Sequence, residues 1–106
     1  MKALLLIAHG SRRAESNDEI RELAGRVAAQ ATGQFDHIDC AFLELAEPSI
    51  PQGIQAMVDK GSESIVVMPY FLANGMHVAK DIPAFLKEAG QQFPNVEILD
   101  AASKAD

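Results

Sequence analysis

The sequence predicts an α/β fold: an open, parallel four-stranded sheet of order 2-1-3-4, with helices on both faces. Three observations predict it. Four short apolar runs, at residues 2–8, 37–43, 64–68 and 96–99, alternate with three stretches of helical periodicity. The first and third runs are almost wholly apolar, as strands covered on both faces must be. Each intervening stretch is long enough to cross over between parallel strands, and right-handed crossovers with two-sided cover favour the order 2-1-3-4.

The elements follow in order. The first strand, Lys2 to Ala8, stops on His9-Gly10-Ser11-Arg12. In the first helix Ile20, Leu23, Ala24, Val27, Ala28 and Ala31 keep the three-and-four spacing of one buried face, and Ser16-Asn17-Asp18-Glu19 reads as its capping box. The second helix spans about residues 49–60, with Ile50, Ile54, Met57 and Val58 inward and Gly61 as its stop. The third is expected to begin near Asp81-Ile82-Pro83, with Asp81 as N-cap, to bury Ile82, Phe85, Leu86, Ala89 and Phe93, and to end at Pro94.

Composition narrows the function. The chain of 106 residues reads as one domain, and 48% hydrophobic content argues against disorder. Its longest apolar run, residues 3–8, is too short for a membrane span or a secretory signal. The one cysteine, Cys40, excludes an internal disulfide and reads as a small buried thiol, which fits a reducing, cytoplasmic setting. The net charge of −6, the lack of a basic run and the absence of tryptophan argue against nucleic acid. Yet Arg12 and Arg13 follow the first strand and Lys80 lies near the third helix, a local basic rim suited to a small anionic ligand.

In a parallel sheet all loops that leave the carboxyl ends of the strands share one edge. His9 leaves the first strand, Glu44 the second, and His77 the third, so all three converge there. The switch point falls between strands one and three, where open sheets bind ligands. Two imidazoles and a carboxylate suit a borderline divalent transition metal and also accept protons near neutral pH. Each has a plainer reading. His9 could end a strand by bonding a carbonyl, His77 could stand in solvent at a helix start, and Glu44 could be an ordinary rim carboxylate. Gly10 and Ser11 fit a tight turn with local hydrogen bonds. Arg13 reads as a solvated charge, His37 as structural at the opposite edge, and Met68 and Phe71 as core or pocket wall.

The segments IAHGSR, FLELAEPSI and PYFLANGMHVAKDIP together resemble the small sirohydrochlorin chelatases, ATP-independent enzymes that insert cobalt or iron into a tetrapyrrole. The resemblance runs from the first strand to the third helix. It implies that His9 and His77 bind the metal and act as bases, and that Glu44 supports them. It implies Co²⁺ as the metal substrate, with Fe²⁺ or Ni²⁺ open, and a homodimeric assembly. No P-loop glycine pattern is present, which agrees with chemistry free of ATP. Ser11, Arg12 and Lys80 are candidate contacts to the carboxylates of sirohydrochlorin.

Members of that family usually carry one more helix after the fourth strand, whereas only residues 100–106 follow Leu99. The expectation is a single domain over 1–106 without that helix. It carries a choice between association through uncovered apolar sheet and a shortened sequence. Two other functions compete. A histidine phosphatase would place arginine before His9, where Ala8 stands. A non-catalytic carrier of metal or tetrapyrrole would use the same histidines.

Overall fold

The computed structural model describes residues 1–31, 33–70 and 76–100, and their side chains except those of 76–83 and 100. The elements run β1 (Lys2–Ala8), α1 (Ala14–Gln30), β2 (His37–Phe42), α2 (Ile50–Asp59), β3 (Ser64–Pro69), α3 (Met76–Gln92) and β4 (Glu97–Asp100). The sheet is parallel throughout, with the order β2-β1-β3-β4 that the crossover rules favour. Strand ends differ from the apolar runs by one residue at most.

Alternation along β1 divides the core. Ala3, Leu5 and Ile7 face α2 and α3, where they pack with Ile50, Ile54, Met57, Ile65, Val67 and Ala89. Leu6 and Ala8 face the other way, onto Ala24 of α1, with Cys40 and Phe42 of β2. A central strand buried on both faces must be apolar at every position, which is why the run Ala3 to Ala8 shows no alternation. Gly53 lets α2 approach β2 closely, since a Cβ there would meet Ala41 at 3.0 Å and Leu5 at 3.3 Å.

Two helix starts differ from expectation. The capping box at Ser16 does not form: α1 begins at Ala14, and its N-cap, Arg13, makes no side-chain cap bond. Asn17 is instead buried and bonded to Ser11, so the Ser16–Glu19 stretch lies inside the helix. Ala28, assigned to the buried face, is exposed. Helix α3 begins at Met76, which puts Asp81 and Pro83 in its interior. An interior proline removes one hydrogen bond, and the residues from Met76 to Lys80 contain no further breaker, so the helix continues upstream of it. Ile82 lies outside the described side chains; Phe85, Leu86, Ala89 and Phe93 pack on the core as expected.

Helix α2 carries the capping box that α1 lacks. Gln52 N–H donates to Ser49 Oγ at 3.2 Å, and Ser49 N–H donates to Gln52 Oε1 at 2.8 Å. Gly61 follows the helix with φ +93°. Replacing Ser49 with alanine is expected to lower the unfolding free energy by about 1 kcal/mol, read from urea denaturation. Among the described residues no helix is long and apolar enough to cross a membrane.

Candidate functional site

The site starts where β1 and β2 run out. Their pairing continues past the strands: Leu43 N–H donates to Ala8 O at 2.9 Å, and Glu44 N–H to His9 O at 3.1 Å. This last bond carries His9 and Glu44 side by side. Their side chains meet, with His9 Nε2 3.1 Å from Glu44 Oε2. That is within the reach over which an imidazole and a carboxylate exchange a proton.

Gly10 allows this approach. It has φ +96°, and a Cβ built on it would overlap the Glu44 carbonyl oxygen. No other residue type fits where two backbones come this close in a left-handed conformation. Ser11 then turns the chain into α1. Its hydroxyl accepts from Arg13 N–H at 3.1 Å, while its own N–H donates to Asn17 Oδ1 at 2.9 Å and its carbonyl accepts from Asn17 Nδ2 at 2.8 Å.

The Glu44 loop closes on itself. Leu45 has φ +66°, the Glu47–Pro48 peptide is cis, and Phe42 N–H donates to Pro48 O at 2.8 Å. Arg21 of α1 reaches the loop, donating from Nη2 to Glu47 O at 2.9 Å and from Nη1 to Asp18 at 2.8 Å. Its guanidinium lies over the Phe42 ring, 5.2 Å from the centroid.

Of the candidate residues, the structure brings His9 and Glu44 together, across β1 and β2. His77 falls in the first turn of α3 and Lys80 one turn later; both side chains lie outside the described residues, as does Phe71. Among the described residues no group of three His, Cys, Asp or Glu side chains converges. Arg12 is exposed, and Arg13 pairs with Glu15 at 3.7 Å on the surface. Met68 is exposed, while His37 is half-buried at the opposite edge. Burial pushes the Cys40 thiol up, Asp39 adds to the shift and Arg21 opposes it, so the thiol stays protonated and serves packing.

Sequence patterns did not single out Asn17 and Arg21. A signal for Asn17 was present: it stands three residues before Ile20, a polar side chain on the buried stripe of the helix.

Fold and site together define a doubly wound parallel α/β protein with a histidine–carboxylate pair at the carboxyl edge of its sheet. That edge is where such folds bind ligands. The chain belongs to the CbiX family, whose family model matches residues 3–102. It is 38% identical over 86 residues to the sirohydrochlorin cobaltochelatase of Methanococcus maripaludis, covering 81% of this chain and 58% of that protein. It is 35% identical over 99 residues to the chloroplastic sirohydrochlorin ferrochelatase of Arabidopsis thaliana, covering 93% of this chain and 43% of the relative. Among solved structures it resembles the sirohydrochlorin chelatase SirB of Bacillus subtilis subspecies spizizenii in complex with cobalt. The TM-score is 0.83 at 30% identity, over 93% of this chain and 42% of that one. The chain thus spans about half the length of these relatives.

Proposed function

We propose that this chain inserts a divalent metal into sirohydrochlorin without ATP, with Co²⁺ as the first metal to test and Fe²⁺ and Ni²⁺ beside it. The observation that carries the reading is the His9–Glu44 pair, 3.1 Å apart and half exposed at the rim where ligands enter. The family relationship and the relatives named cobaltochelatase and ferrochelatase support it.

Metal insertion replaces two pyrrolic protons by M²⁺, so two protons leave the macrocycle as the ion enters. A site for this needs a ligand that holds a partly dehydrated ion and a base that takes the protons. The His9 imidazole can do each in turn, since its lone pair can hold the ion first and take a proton once the ring nitrogens have the metal. Glu44 at its side can receive a proton from it. His77 is proposed as the second metal ligand and base, from the first turn of α3. Arg12 and Lys80 are proposed to pair with substrate carboxylates. Ser11 joins them, because its hydroxyl accepts from Arg13 N–H and keeps its own proton to donate. Arg12→Ala and Lys80→Ala are expected to raise KM for sirohydrochlorin several-fold each, as loss of one exposed charge-assisted contact does. An unchanged KM in both removes that assignment.

The same reading places the protein in the cytoplasm as a homodimer. Support for association comes from Met68 and Tyr70 at the end of β3, exposed at 41% and 37%. A monomer mass at micromolar concentration in sedimentation equilibrium would count against it.

The deciding experiment is turnover. Purified protein is mixed with sirohydrochlorin and Co²⁺, Fe²⁺ or Ni²⁺, and the absorbance of the metallated ring is followed. Acceleration over the spontaneous rate with one of them supports the enzyme. No acceleration with any leaves a carrier of metal or tetrapyrrole.

A further inference from the structure

The pair at the rim does not hold itself in place. The His9 and Glu44 side chains are 50% and 57% exposed, and a single polar contact in that setting contributes little to fixing geometry. The backbone bond from Glu44 N–H to His9 O sets the two main chains side by side, and a second set of bonds holds the loops that carry the side chains. Each sits on its own loop, and each loop is anchored to the same helix. Asn17 grips the His9 loop through two bonds to the Ser11 backbone, at 2.9 and 2.8 Å, from a side chain that is itself buried. Arg21 grips the Glu44 loop through the Glu47 carbonyl at 2.9 Å and covers Phe42, the last residue of β2. Asp18 fixes the other guanidinium nitrogen at 2.8 Å.

Asn17 and Arg21 are four residues apart on α1, hence on one face and one turn from each other. The helix is seated on the sheet by Ala24, with Ile20, Leu23 and Val27 beside it. Both loops are therefore referenced to one rigid body.

We propose that α1 is a brace for the site, with Asn17 and Arg21 as positioning residues that set the His9–Glu44 separation by clamping one loop each. The proposal rests on the reading of His9 and Glu44 as the reacting pair. A displacement of one loop by a fraction of an ångström would then slow proton transfer without changing how the macrocycle binds.

The test uses Arg21→Met, which keeps an apolar side chain over Phe42 but removes the donor to Glu47, with Arg26→Met on the same helix as control. The expected result is a kcat roughly tenfold lower in Arg21→Met, the equivalent of one hydrogen bond lost from an aligned site. KM for sirohydrochlorin should stay within about twofold, the mark of an interaction used in the chemical step alone. Asn17→Ala, assayed below its melting temperature, is expected to show the same split. An unchanged kcat, or kcat and KM that move together, overturns the brace.

Amide hydrogen exchange separates this from failure of the site reading. If His9→Ala keeps full turnover, the site reading fails, and exchange at Glu44 N–H and Phe42 N–H still decides the brace. Faster exchange in Arg21→Met than in Arg26→Met supports it, and equal rates overturn it.

Discussion

Replacing Gly10 with alanine is expected to lower the unfolding free energy by about 3 kcal/mol, combining left-handed backbone strain with a forced steric overlap. Both contributions are visible. The backbone sits at φ +96°, and the added Cβ falls on the Glu44 carbonyl oxygen, a backbone atom that cannot rotate aside. Relief requires the two loops to part, which also separates His9 from Glu44. Turnover should therefore drop by about 100-fold even at temperatures where the variant is folded, the penalty for a displacement near 1 Å at a reacting pair. Gly25→Ala provides the contrast. Gly25 lies inside α1 with nothing within 4 Å of its would-be Cβ, so the change should stabilise by up to about 1 kcal/mol. Urea denaturation of both variants checks the pair of values. A Gly10→Ala protein as stable as the parent would mean that the loops are not in contact as described.

His9→Ala is expected to cut kcat by about 100-fold or more, the usual contribution of a positioned acid–base group. Its cost in stability should be within about 0.5 kcal/mol, because the side chain is half exposed and lies outside both core clusters. This is the reverse of the Gly10 pattern, where stability and activity fall together. Glu44→Gln keeps the shape of its side chain and a hydrogen-bond acceptor but removes the carboxylate that can take up a proton, and is expected to cost about tenfold in kcat. Steady-state kinetics with the preferred metal measures both. If His9→Ala turns over at the parent rate, the pair has no part in the chemistry.

The central strand was legible because β1 is covered on one face by α1 and on the other by α2 and α3. That cover makes Ala3 to Ala8 apolar at each step and leaves no ambiguity of register. The helix interiors were legible for the related reason that one stripe must be apolar. Helix starts were less so. Ser16 to Glu19 has the residues of a capping box, and Asp81-Ile82-Pro83 has those of a first turn. Each pattern describes what a segment could do alone. In the fold Asn17 bonds Ser11, and α3 has already begun at Met76.

For the site, topology was enough to put the backbones of His9, Glu44 and His77 on one edge, since a parallel sheet sends every strand-to-helix loop there. Which of them touch depends on distances of an ångström or less. Those come from contacts between residues far apart in the chain: Glu44 N–H on the His9 carbonyl, Gly10 against Glu44, Arg21 on Glu47. The sequence by itself determined the parallel α/β architecture and the edge that holds the candidate site, because both follow from burial patterns and chain connectivity. Only the tertiary structure decided that His9 pairs with Glu44 and that α1 anchors both loops. Hydrogen bonds between distant segments leave no periodic mark in the order of residues.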